Sequence, residues 1–120
     1  KLIYSVSASY TGALQTGQPD ANNKGAVTGT TLTVSVTTVA DNCWLVSTAA
    51  RRQGSGVTIG TGANTTSRQI NTAVSIGDSN AAQTPPGSFG QTWTLSGSTD
   101  IGIVVASIAP INTGGFFTLL

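Results

Sequence analysis

Histidine, glutamate and methionine are absent from this chain of 120 residues, and charge of either sign is scarce. Without histidine, no side chain with an ordinary pKa changes charge near neutrality. A serine or cysteine nucleophile then lacks its usual base, and the two lysines, Lys1 and Lys24, lie far from any candidate in sequence. These gaps argue against an enzyme. Charged residues make up 8% of the chain, against roughly 25% in ordinary soluble domains. Solubility therefore rests on Ser, Thr, Asn, Gln and Gly. The net charge of +1 leaves no electrostatic footprint for nucleic acid or acidic lipid. No apolar run approaches the ~18–20 residues of a membrane-spanning helix. The single cysteine, Cys43, cannot form an internal disulfide, and its place beside Trp44 in an apolar run marks it as a small buried hydrophobe. Nothing in the chain calls for a cofactor.

What is present is strand material. Residues 100–110 hold Ile101, Ile103 and Val105 on one alternating set and Val104, Ala106 and Ile108 on the other. A segment apolar on both sides is expected to be a central strand covered on both faces, stopped by Pro110, which has no N–H to give. Residues 30–38 alternate Leu32, Val34 and Val36 with Thr and Ser, and residues 43–50 follow a turn at Asp41-Asn42. The loop length predicts that these two strands pair as a hairpin. Further strands are expected at residues 2–9, around Val57-Thr58-Ile59, over 68–76 with Ile70, Thr72, Val74 and Ile76 on one face, and over 88–95 with Phe89, Trp93 and Leu95 inward. Residues 10–29 read as a long turn-rich connection; Gly77-Asp78-Ser79-Asn80, Thr84-Pro85-Pro86-Gly87 and Ser96-Gly97-Ser98-Thr99 read as breaks. About seven strands with a turn roughly every ten residues predict an all-β fold, an antiparallel β-sandwich of immunoglobulin-like or jelly-roll type. Residues 1–110 form the expected single domain, and 111–120 a Gly-hinged apolar tail. Trp44, Trp93 and Val105 are its expected core.

Candidate sites are few. Asp20, Asp41, Asp78 and Asp100 all sit in turn contexts, where Asp caps local backbone rather than forming a catalytic pair. Asp78 and Asn80 can offer oxygens to Ca²⁺, though a tight site usually needs more carboxylates. Asn64-Thr65-Thr66 fits the N-glycosylation pattern. Among Tyr4, Tyr10, Trp44 and Trp93, Tyr10 at a strand end is the best candidate to stack on a ligand such as surface carbohydrate. The chain opens at Lys1 without Met and directly in strand pattern, which reads as a processed or partial chain. Leu2 and Tyr4 at that edge, with Phe116, Phe117, Leu119 and Leu120 in the tail, are the expected contacts to neighbouring copies or other subunits.

Four stretches read together carry a resemblance. They are Ser7-Ala8-Ser9-Tyr10-Thr11-Gly12 with Gln15-Thr16 and Pro19-Asp20; Val36-Thr37-Thr38-Val39-Ala40-Asp41-Asn42-Cys43-Trp44; Ile76-Gly77-Asp78-Ser79-Asn80 with Thr84-Pro85-Pro86-Gly87-Ser88; and Val104-Val105-Ala106-Ser107-Ile108-Ala109-Pro110. Over roughly residues 7–110 the chain resembles a poorly characterised β-sandwich module of tailed-phage virion proteins and secreted proteins of environmental bacteria. The resemblance implies a fold and a setting, a structural module on a virion or other extracellular assembly, and no catalytic residues. A carbohydrate-binding or adhesin module and a filament subunit assembled by strand exchange are the alternatives.

Overall fold

The computed structural model describes residues 3–53 and 56–111. The chain is all-β, with no helix among the described residues. Six strands form one antiparallel sheet: β1 (Ala21–Thr37), β2 (Trp44–Arg51), β3 (Ile59–Thr61), β4 (Thr66–Ile70), β5 (Val74–Asp78) and β6 (Ser88–Ile108). Their order is β1-β6-β2-β5-β4, with β3 paired to β6 off this path.

β6 is central, as its apolar second half requires, and at 21 residues it is longer than expected. Laid straight it would span roughly 70 Å at the usual strand rise, yet the longest axis of the molecule is 46 Å. The ribbon of β1 and β6 must therefore bend. It does so where the register shifts between Gly29 and Thr31, opposite Ser96-Gly97-Ser98 of β6. The residues expected to break the chain into two strands instead stay in one strand and turn it. The two halves of β1 come face to face. Asn23 donates its side-chain amide to the Ser35 carbonyl at 2.8 Å, and a methyl added at Gly25 would lie 2.9 Å from Val34 Cγ2. Residues nine apart in a straight strand would be roughly 30 Å apart.

The result is sandwich-like. A larger layer holds residues 21–29 of β1, 99–108 of β6, β2, β5 and β4; a smaller layer holds residues 31–37 of β1, 88–95 of β6 and β3. The core fills the space between them: Ile101, Ile103, Val105, Leu45 and Ala49 from the larger layer, and Trp93, Leu95, Val34, Val36 and Ile59 from the smaller. Trp93 and Val105 are fully buried, as expected. The Trp93 indole N–H donates to Ser47 Oγ at 2.8 Å across the layers, which meets the one polar need of a buried tryptophan. Its ring lies over Gly77, where a Cβ would sit 3.0 Å from two ring carbons and 2.6 Å from the Thr66 carbonyl. Gly77 is thus a strand residue that makes room for Trp93, not part of a turn.

Several other expectations are corrected. Residues 30–38 and 43–50 do not pair; β6 lies between β1 and β2 and hydrogen-bonds to both. A long central strand offers two edges, and each neighbour takes one. β1 starts at Ala21, inside the expected connection. Its Asn and Gly residues are tolerated there because that strand is an edge with one partner. Residues 68–76 are a hairpin rather than a strand: Asn71 N–H donates to the Val74 carbonyl at 2.8 Å, and Asn71 Oδ1 accepts from Thr72 N–H at 2.7 Å. Residues 3–10 belong to no strand. β6 is central in the sheet but buried on one face only, since Val104 is 53% exposed. Trp44 is half-buried, on the outer face with Val46, away from the core. Leu2 and the tail residues Phe116, Phe117, Leu119 and Leu120 lie outside the described residues.

Two substitutions test this packing by chemical denaturation. Trp93→Ala should cost about 3–5 kcal/mol. Gly77→Ala should cost about 1–3 kcal/mol through overpacking against the same ring; a neutral Gly77→Ala would mean that Trp93 does not sit where the two layers meet.

Candidate binding groove

Register decides what the outer face of the larger layer shows. Trp44 lies opposite Ile108 and Val46 opposite Ala106, and Val46 is also opposite Asp78 on β5. Partners in antiparallel strands share a face, so these side chains all point away from the core. Residues 7–13 run across them. Ser7 N–H is bonded to Gln69 Oε1 at 3.1 Å, and Ile111 N–H donates to the Gly12 carbonyl at 2.7 Å. Between this segment and the sheet lies a groove of about 530 Å³, lined among others by Tyr10, Trp44, Val46, Arg68, Ile108 and Pro110.

Asp78 is the polar centre of the groove. Its carboxylate is fully buried, a position that is costly for a charge without partners. Its partners come from three directions. Arg68 on β4 donates from Nε to Oδ2 at 2.7 Å and from Nη2 to Oδ1 at 2.8 Å. Tyr10 Oη donates to Oδ2 at 2.8 Å. The backbone N–H of Asn80 donates to Oδ1 at 2.9 Å, aimed there by a left-handed turn with φ of 51° that Asn tolerates. Burial pushes the carboxyl pKa up, but these bonds and the Arg68 charge outweigh it and hold it below the ordinary carboxylate range. Tyr10 responds in the opposite sense. Burial first, then its hydrogen bond to Asp78 and the Asp78 charge, push its phenol up to about 12.

This geometry redefines the candidate residues. Asp78 is not a turn residue but the last residue of β5. The oxygens offered to Ca²⁺ are engaged by a guanidinium, since Arg68 Nη2 also donates to Asn80 Oδ1 at 2.8 Å. A cation already sits where the metal was expected. Among the described residues no group of three or more His, Cys, Asp or Glu side chains could hold a metal. Asn64 spends its side-chain nitrogen on Gln83 Oε1 at 2.9 Å and the Gly90 carbonyl at 3.1 Å, so a glycan, which replaces one of the two amide hydrogens, would have to break at least one of these bonds. Tyr10 does face a groove. Tyr4 lines a second hollow, further along the same face.

The other acids are structural. Asp20 accepts from Val39 N–H at 2.8 Å, Ala40 N–H at 3.0 Å and the Ser107 hydroxyl at 3.0 Å. Burial raises its pKa, but these bonds bring it below the ordinary range. Asp41 accepts from Asn42 N–H at 2.9 Å, and Asp100 from the Thr28 hydroxyl. Cys43 is buried, and burial together with nearby Asp20 pushes its thiol up to about 12, which suppresses the reactive thiolate.

Arg68 is a groove residue that sequence reasoning did not single out, and Trp44 is one that it weighed as an aromatic but assigned to the core. Trp44 was open to detection: the set Leu45, Ser47 and Ala49 faces the core, so Trp44 and Val46 must face the other way. Arg68 gave no such signal, because its ten-residue separation from Asp78 acquires meaning only through the β4–β5 hairpin and the register shift between Ser67 and Gln69. No family model, no curated protein and no solved structure matches this chain.

The Tyr10–Asp78 bond has a pH signature. A phenol pKa raised above its ordinary value near 10 contributes stability that is complete below about pH 10 and lost as pH rises through about 12. The lowered Asp78 pKa contributes stability that is complete above the ordinary carboxylate range, near pH 4, and lost in acid. Tyrosinate absorbance of the folded chain should therefore show a step near pH 12 that disappears in Tyr10→Phe. A Tyr10→Phe spectrum unchanged in that region would show that the phenol is not held by Asp78.

Proposed function

We propose that this chain is a structural module of a virion or other extracellular assembly, a capsid decoration, tail or fibre component without enzymatic activity, placed at an extracellular or virion surface among neighbouring copies or other structural subunits. The observation that carries the reading is the outer face of the larger layer. In the middle of the sheet, between β1 and β2, that face presents Val104 at 53% exposure between Lys24 and Thr48, and in the next row Ala26 and Ala50, both exposed, on either side of Gly102. Residues 4–6 span it only loosely, over a hollow of about 750 Å³ lined by Tyr4, Thr48, Gly102 and Val104. Apolar surface in mid-sheet is what a subunit covers when it packs against another. The near-absence of charge on the chain agrees with this, since closely packed copies then meet without like-charge repulsion. The resemblance to virion and secreted β-sandwich modules points the same way. The absence of activity is supported by the engagement of all four aspartates in structural hydrogen bonds.

Val104→Asp tests the reading. The new carboxylate would lie directly opposite Lys24 on β1, so the cross-strand pair is favourable and the fold should change by only about 0.5 kcal/mol. Self-association followed by light scattering should fall sharply in the variant. If the parent chain is monomeric at every concentration, alone and with the particle it came from, or if Val104→Asp assembles like the parent, this face is not the contact.

A further inference from the structure

We propose that the groove beneath residues 7–13 is a binding site for an uncharged oligosaccharide, a function separate from the packing face around Val104. Four features carry the inference. First, two aromatic rings, Tyr10 and Trp44, line the same groove with Val46 and Ile108. Aromatic faces with an apolar floor match the C–H faces of pyranose rings. Second, the site is rigid before any ligand arrives. Tyr10 is fixed by its bond to Asp78, and Arg68 by three bonds from Nε and Nη2. A ligand need not meet the entropic cost of ordering them. Third, among the described residues those three bonds leave Arg68 Nη1 uncommitted and residues 8–10 pair with no strand, so a planar donor and open backbone groups remain for hydroxyls. Fourth, the charges cancel. Arg68 and Asp78 form an ion pair at 2.7 Å, and the other lining residues carry no charge.

The last feature selects the ligand class. An acidic sugar would compete with Asp78 for Arg68 and leave a buried carboxylate uncompensated. A peptide strand is disfavoured at the floor because the ladder groups of β2 and β6 there are already paired with each other. The volume of about 530 Å³ lies within the roughly 300–1,000 Å³ of small-ligand sites.

The experiment titrates the full chain with maltotetraose, cellotetraose and chitotetraose, and with a heparin tetrasaccharide as the acidic probe. Indole N–H and backbone shifts are read by NMR. Trp93, sealed in the core, serves as the internal reference that should not move. The expected result is saturable binding of at least one neutral probe, with shifts confined to Tyr10, Asn42, Trp44, Arg68 and their neighbours. Trp44→Ala and Tyr10→Ala should each weaken it about tenfold, the loss of roughly one aromatic contact, while Val104→Asp leaves it unchanged. Three results would overturn the proposal: no saturable binding of any neutral probe, tighter binding of the heparin probe, or binding that survives both groove variants in folded protein.

Discussion

The bend in the β1–β6 ribbon is the constraint from which the rest of the molecule follows. A two-stranded ribbon of this length has one apolar side and no partner for it in a flat sheet. By turning at Gly29–Thr31 and Ser96-Gly97-Ser98 it brings that side onto itself, so Val34 meets Gly25 and Trp93 crosses to Ser47. Burial of an indole of this size is worth roughly 4–6 kcal/mol, a large share of the stability of a domain this small. The cost falls on the residues that must stay small. Gly25 and Gly77 are strand residues without side chains because each receives one from the opposite layer.

Once the inner faces are matched to each other, no strand among the described residues is left to cover the outer face of the larger layer. Residues 4–13 lie over it instead, and Asp78 is one of their anchors, through Tyr10. A fully buried carboxylate would destabilise the fold if left alone. Here it receives hydrogen bonds from β4, from the turn after β5 and from the crossing segment. The same carboxylate orients Tyr10 and Arg68, so the anchor of the segment and the polar wall of the groove are one network. Coverage is incomplete, and this leaves two surfaces of different character. One is an aromatic groove with a neutralised ion pair; the other is an open patch of Val104, Gly102, Ala26 and Ala50, edged by Lys24 and Thr48. In the proposals above the first takes a small polar ligand and the second a flat protein surface, and they lie on the same side of the molecule.

Much of this was legible in the sequence. The all-β class, the position of residues 100–108 at the centre of the sheet, the inward set Phe89, Trp93 and Leu95, the short strand near Ile59 and the burial of Cys43 follow from side-chain alternation and from the scarcity of charge. Local pattern determined these because alternation is a property of neighbours along the chain. It also drew attention to Tyr10, which lines a groove, while leaving its partners undefined.

What only the tertiary structure decided is everything that depends on which strands meet. Turn-forming residues were misread wherever the fold used them otherwise: Ser96-Gly97-Ser98 bends a strand, Gly77 admits a tryptophan, and Asn22 and Asn23 lie in an edge strand. Glycine and asparagine permit a turn without requiring one, so their local signal cannot separate these uses. The expected hairpin failed because the sequence does not say that β6 will come back between β1 and β2. The pairing of Arg68 with Asp78, and of both with Tyr10, joins residues up to 68 positions apart. Single-sequence spacing carries no trace of such a meeting; the register of the strands creates it.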